Sequence, residues 1–174
     1  EQRRPHLGMA RSFQSNQLFA EQTVLENVRL VVQTTQRGSF SMDLFRAHHW
    51  PPAWRFGVFD FHHYHSTAHE VLGVFAGSAR LLFGGPDGVT VEAQAGDAIV
   101  IPAGVAHKCL VPKCFRVVGA YPRGQDFDMN RGEPGERPAA DHHIAEVPLP
   151  AADPVLGPSG PLSREWDGKA RPQP

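Results

Sequence analysis

Four of the chain's ten histidines fall within the eight residues from His62 to His69. That density points to imidazole chemistry, because neutral imidazole is among the commonest metal ligands. Parity decides which of the four can act together. On an extended chain residues two apart share a face. Phe59, Phe61, His63 and His65 therefore point one way, and Val58, Asp60, His62 and Tyr64 the other. The first face is apolar up to its two imidazoles, so His63 and His65 are expected to look inward and His62 towards solvent. Two imidazoles side by side in an apolar interior are costly without a partner, and a bound metal is the usual resolution. Glu70 opens the next strand and can supply a carboxylate. His107 comes from a later strand, after the turn Pro102-Ala103-Gly104.

These residues need short strands to carry them. The 17 glycines and 16 prolines in 174 residues argue against a helical bundle. Val89 to Ala95 alternates apolar and polar residues, the period of a half-buried strand. Gly84-Gly85-Pro86-Asp87-Gly88 is a turn joining it to Ala79–Phe83. Further strands are expected at Phe56–Phe61, Val71–Ala76, Ala98–Ile101, Ala106–Val111 and Phe115–Tyr121, a pattern that implies an antiparallel sandwich or barrel. Before them, Thr23-Val24-Leu25-Glu26 has the form of a capping box. Val24, Leu25, Val28 and Val31 or Val32 continue it at helical spacing as far as Gly38. Residues 131–174 hold nine of the sixteen prolines and read as an extended wrap over the barrel, fraying after Trp166.

Other chemistries are poorly supported. Seventeen basic side chains against eighteen acidic ones give nucleic-acid or membrane-surface binding no electrostatic footing. No apolar run reaches the length of a membrane span. The glycines at 84, 85 and 88 lack the lysine and following helix of a phosphate loop, and no G-x-S-x-G elbow occurs. Cys109 and Cys114 fit neither a disulfide framework nor a zinc knuckle and read as two reduced thiols. The chain starts Glu-Gln-Arg-Arg with neither Met nor a signal pattern. That start reads as trimmed or as that of a fragment, and the default expectation is a cytoplasmic protein.

Gly57-x5-His63-x-His65-x4-Glu70-x6-Gly77, then Gly96-x5-Pro102-x-Gly104-x2-His107 after 18 residues, resembles the two motifs of the cupin family at full length. The one departure is Val111, where the family usually carries Asn, a position that is not a metal ligand. From Leu44 to Trp166 the chain is more closely similar to a group of uncharacterised small bacterial single-domain cupins. That likeness is carried by His63-Tyr64-His65-Ser66-Thr67-Ala68-His69-Glu70 and Val118-Gly119-Ala120-Tyr121-Pro122. The resemblance implies an all-β fold, a double-stranded β-helix or cupin jelly-roll barrel, with a metal held by His63, His65, Glu70 and His107. It implies a barrel over residues 44–130, a helical N-terminal segment over 1–43 and a Pro-rich C-terminal extension over 131–174.

Three imidazoles and a carboxylate suit one divalent transition metal: Fe, Mn, Ni, Co or Zn. Four ligands on an ion that takes five or six leave room for water, substrate or dioxygen. The expected lining, Phe59, Phe61, Leu72, Val74, Cys109 and Val111, is apolar and favours a small, partly hydrophobic ligand. The leading expectation is a metal-dependent enzyme on a small molecule, with oxygenase or oxidase chemistry ahead of isomerase. The alternative is a non-catalytic metal-binding or sensing module. Tyr64 and Tyr121 are the conceivable acid–base groups, and no catalytic residue is assigned. His69 is expected at the surface or behind the ligands, Cys109 as a small core residue, and His48, His49, His142 and His143 in loops.

Residues 3–38 resemble something different. Gly8-Met9-Ala10-Arg11-Ser12-Phe13-Gln14 and Leu18 to Val28 are similar to the glutamine-loop region of branched-chain amino-acid ABC transporter ATPases, with Gln14 at the metal-sensing position. The phosphate loop and signature motif are missing, so the likeness implies no nucleotide site. It reads as a fusion or rearranged reading frame in place of the barrel's own first edge strand. An uncovered edge favours dimerisation, as a homodimer, or aggregation.

Overall fold

A computed structural model describes residues 32–33, 42–162 and 166. The capping box at Thr23–Glu26, the likeness over residues 3–31 and the fraying expected past Trp166 lie outside the described residues. Six strands and two helices carry the fold there: β1 (Val32–Gln33), α1 (Met42–Ala47), β2 (Pro52–Phe56), β3 (Glu70–Phe83), β4 (Val89–Gln94), β5 (Asp97–Ile101), β6 (His107–Ala120) and α2 (Ala139–Glu146). The strands form one antiparallel sheet in the order β1-β5-β3-β6-β2, with β4 on the far half of β3.

The pairing of β3 with β6 positions the site. Val71 lies opposite Ala120 and Phe83 opposite His107, so Glu70 and His107 stand at opposite ends of this ribbon. A flat strand of 14 residues would separate them by roughly 45 Å at about 3.3 Å per residue. Instead their side chains touch, because the ribbon curls over at its middle. The curl is built at Gly77 (φ 68°) and Cys114 (φ 50°), both left-handed, where the register slips on either side of Ala76. Alternate residues then face two different interiors. Leu72, Val74, Ile99, Ile101 and Val117 fill the barrel. Val71, Ala98, Val100, Val118 and Ala120 pack outward against Phe45, Trp50, Val155, Leu162 and Trp166. Double-sided burial explains the unbroken apolar run of β5.

Several sequence expectations change. Val71–Ala76 and Ala79–Phe83 are one strand, as are Ala106–Val111 and Phe115–Tyr121, since a left-handed kink bends a strand without ending it. No strand covers Phe56–Phe61: β2 stops at Phe56, and residues 57–62 are irregular, tied to β6 by the Cys109 N–H donating to the Phe59 carbonyl at 2.7 Å. Val32–Gln33 is a strand on the β5 edge, where the helical spacing had been carried on to Gly38. The edge expected to stand uncovered is met there by Val32 opposite Ala98.

The proline-rich tail hides helix α2, whose Ala140 and Ile144 share a buried face. His142 and His143 are therefore helical rather than in a loop. Beyond it, residues 147–162 wrap as expected, and the Trp50 indole N–H donates to the Ala152 carbonyl at 2.8 Å. The glycine-rich segment is the β3–β4 hairpin. Among the described residues no helix is long and apolar enough to cross a membrane.

Candidate metal centre

His63, His65, Glu70 and His107 line one cavity of about 250 Å³ at the mouth of the barrel. Glu70 and His107 are the first residues of β3 and β6, brought together by the curl of the ribbon. His63 is bridged to His107 by paired backbone hydrogen bonds of 3.2 and 2.9 Å. That bridge fixes the extended local geometry, so the parity of His63 and His65 holds although no regular strand surrounds them. All four side chains are buried.

The imidazoles are oriented by backbone carbonyls. The Nδ1 of His63 faces the Phe61 oxygen at 3.3 Å, that of His107 the Val105 oxygen at 3.2 Å, and that of His65 the Asp128 oxygen. A carbonyl only accepts, so each Nδ1 carries a proton, and in the neutral ring each Nε2 is left with a lone pair. The Nε2 atoms of His107 and His65 lie 3.3 and 3.6 Å from Glu70 Oε2. That oxygen is buried and has no hydrogen-bond donor. The other carboxylate oxygen, Oε1, accepts from the Tyr121 hydroxyl at 2.8 Å, and the Tyr121 oxygen accepts from the Trp54 indole N–H at 2.9 Å.

The centre is thus a set of acceptors facing acceptors, a chemistry that a cation completes. Burial alone would raise the Glu70 carboxyl, but His107 and His65 outweigh it and hold the group well below the usual carboxylate range. Burial, then the neighbouring His107, pushes the His63 imidazole down to about 4. For His65 burial works the same way, yet the bond and charge of Glu70 override it and raise the group. With the rings neutral, a divalent ion would answer the Glu70 charge for every donor. The rings are unevenly spaced, with His63 and His107 centroids 4.1 Å apart and His65 5.9 and 6.1 Å from them. Among the described residues no group of three or more His, Cys, Asp or Glu meets the geometry of a metal site. The pocket offers a donor set and its orientation, short of a closed cage.

Other expectations divide. His62 is half-buried and outside the cavity lining, with its ring nitrogens covered and unpartnered rather than solvated. His69 is fully buried rather than at the surface. It sits behind the ligands, where its Nδ1 accepts the Ala103 N–H at 3.0 Å and so braces the turn that delivers His107. His48 and His49 follow α1 as expected, with His48 Nδ1 3.0 Å from the Pro154 carbonyl. Tyr64 faces away from the cavity as parity requires, but into a second packed layer, where its hydroxyl donates to Glu136 at 2.9 Å. It is therefore no acid–base group for this site, whereas Tyr121 stands in it. Of the expected lining, Phe59 and Leu72 are present. Val74 and Cys109 belong to the barrel core, Phe61 packs under Arg131, and Val111 is exposed on the surface because the β6 bulge turns it out.

Trp54, Phe127 and Met129 also line the cavity, and the one local hint of the last two is the short polar–apolar alternation from Asp126 to Asn130. Phe127 and Met129 belong to a strap over residues 126–131 that is stitched along the ligand loop. Asp128 accepts the Ser66 N–H at 2.6 Å and the Ser66 hydroxyl at 2.5 Å. Asn130 exchanges backbone hydrogen bonds of 2.9 and 3.0 Å with Tyr64.

Trp54 owes its place to Gly119, where an added Cβ would lie 2.1 Å from the indole. Gly119→Ala should push the indole off the Tyr121 hydroxyl and lower stability by about 1–3 kcal/mol, read from the urea midpoint.

The family profile described as "Cupin" matches residues 61–111, which include all four candidate ligands. The uncharacterised protein YjlB of Bacillus subtilis (strain 168) is 46% identical over 120 residues, covering 68% of this chain and 73% of that protein. Solved structures with a similar trace include tomato (Solanum lycopersicum) vicilin, at 20% identity and a TM-score of 0.37 over 42% of this chain. The chain spans about a fifth of that protein, 22% of its length. A DUF861 family protein of Thermotoga maritima aligns at 21% identity and a TM-score of 0.35, over 51% of this chain and 93% of its own.

Proposed function

The chain belongs to the cupin family, and from that premise we propose that His63, His65, Glu70 and His107 bind one divalent transition metal in a metal-dependent enzyme acting on a small molecule. Oxygenase or oxidase chemistry is favoured over isomerase chemistry. The observation that carries the reading is the buried Glu70 Oε2, which has no donor and faces the lone-pair nitrogens of two imidazoles held by backbone carbonyls. When bound, the ion supplies Lewis acidity and, if redox-active, electrons for dioxygen chemistry.

The chain's own residues prepare the pocket for it. Phe61, Asp128 and Val105 carbonyls fix the ring tautomers. Tyr121 takes up Glu70 Oε1 and so leaves Oε2 turned to the imidazoles. Burial, then Glu70, raises the Tyr121 phenol, which favours the neutral hydroxyl that donates this hydrogen bond. The aromatic walls limit water beside the donors.

One observation favours the second reading, a binding or sensing module. The one phenol in the cavity lining is already committed to Glu70, which leaves no independent general base there.

Elemental analysis of protein purified without added metal should find near one equivalent of transition metal per chain. Protein still metal-free after equilibration with Fe(II), Mn(II) and Zn(II) would sink both readings. Dioxygen uptake with a bound redox metal supports the enzyme, and tight metal without turnover over a broad substrate panel supports the module.

A further inference from the structure

The cavity's polar groups stand at one end only. Beyond the four candidate ligands and the committed Tyr121 hydroxyl, eight residues line it, with no cationic, amide or aliphatic hydroxyl side chain among them. Four of the eight are aromatic: Trp54, Phe56, Phe59 and Phe127. Phe127 stacks on Tyr121 at 4.3 Å between centroids and 14° between planes, and Phe59 stacks on Phe61 at 4.7 Å and 20°. Phe59 and Phe127 also stand at steep angles to candidate imidazoles, 83° to His63 and 66° to His65, so aromatic rings border the donors on two sides. Phe59, Phe127 and Met129 are also 42–46% exposed at the mouth, a cluster of large apolar side chains that folding leaves wet. The cavity of about 250 Å³ has the room of roughly eight waters, the size of one small ring.

We infer that the ligand of this site is a flat aromatic molecule with a single polar group, a hydroxyl that can donate to or coordinate through its oxygen, at the end lined by His63, His65, Glu70 and His107, and an uncharged apolar body held by Phe59, Phe127 and Met129. The proposal rests on the reading of that donor set as the functional end of the pocket and names the substrate class it takes. A charge or second polar group at the far end of the ligand would lose its water against hydrocarbon and find no partner there. A saturated ring of equal volume would fill the space but forgo the stacking, which is worth a few-fold in affinity.

The test uses p-cresol, 4-methylcyclohexanol and 4-hydroxybenzenesulfonate, titrated by calorimetry into full-length protein in metal-free and zinc-equilibrated forms. The expected result is p-cresol binding about fivefold more tightly than the saturated alcohol and at least tenfold more tightly than the sulfonate. In Phe127→Leu, which removes the aromatic ring but keeps an apolar side chain, the preference for the aromatic ring over the saturated alcohol should shrink to about twofold or less. Equal binding of ring and saturated alcohol, equal binding of the sulfonate, or a ring preference untouched by Phe127→Leu would each overturn the proposal. The two forms separate it from the metal reading. Ring preference in a protein that takes up no zinc refutes the metal alone. Zinc uptake without ring preference refutes this substrate class alone.

Discussion

His107→Ala should lower transition-metal affinity by at least about a hundredfold, whereas His62→Ala should leave it within about threefold. The two histidines sit in the same part of the fold but on opposite sides of the cavity wall. His107 holds its proton on Nδ1 against Val105 and turns Nε2 to within 3.3 Å of Glu70 Oε2, while His62 does not line the cavity. Competition against a fluorescent chelator, with each protein checked for a cooperative urea transition, measures the difference. Equal loss in both variants would mean that the side-chain register of the ligand loop is wrong.

Gly77→Ala should cost at least about 3 kcal/mol and leave much of the protein unfolded at ordinary temperature. A Cβ at residue 77 would stand 2.2 Å from the Lys113 carbonyl oxygen and 2.4 Å from that of Cys114, and backbone atoms cannot swing aside as side chains do. The left-handed φ of 68° adds its own penalty of about 1 kcal/mol. Gly124→Ala separates the two contributions. It has φ 85° but nothing within 4 Å of its Cβ, so it should lose only the conformational part. Urea midpoints for both variants make the comparison. Similar losses would show that the clash at the bend is relieved by local movement and that the curl of β3 on β6 tolerates a side chain.

That His63, His65, Glu70 and His107 share one cavity was legible because its logic is local. Motif spacing and alternation along Phe59–His65 put two imidazoles on one face, and a single bridge to His107 is enough to keep that alternation where no strand forms. Glu70 and His107 were legible by position, each at the first residue of a strand. The curl that joins them was less so. Gly77 marks it in the sequence, but its partner kink falls on Cys114, an ordinary residue in a left-handed conformation.

What alternation could not supply is anything contributed from far along the chain. Phe127, Met129 and Asp128 reach the site by hydrogen bonds spanning some sixty residues, and although Asp126 to Asn130 alternates polar and apolar, five residues of alternation do not say which part of the fold they meet. Val111 shows the opposite failure, since one bulge turned a correctly periodic residue out to solvent. Helix α2 was masked by its proline-rich surroundings, although Ala140 and Ile144 carry the i, i+4 apolar pair.

The strap has a consequence for the order of events in a cell. Chains emerge from the ribosome N-terminal end first, at about 5–20 residues per second. The ligand loop around His63 and His65 is synthesised well before Asp128, whose carbonyl fixes the His65 tautomer and whose carboxylate holds Ser66. Later still come Ala152, which takes the Trp50 indole, and Trp166, which packs on His69 at 4.9 Å behind the site. During several seconds of translation the nascent chain therefore presents these histidines unbraced, and the shaped pocket exists only once the strap has left the ribosomal tunnel and closed over the loop.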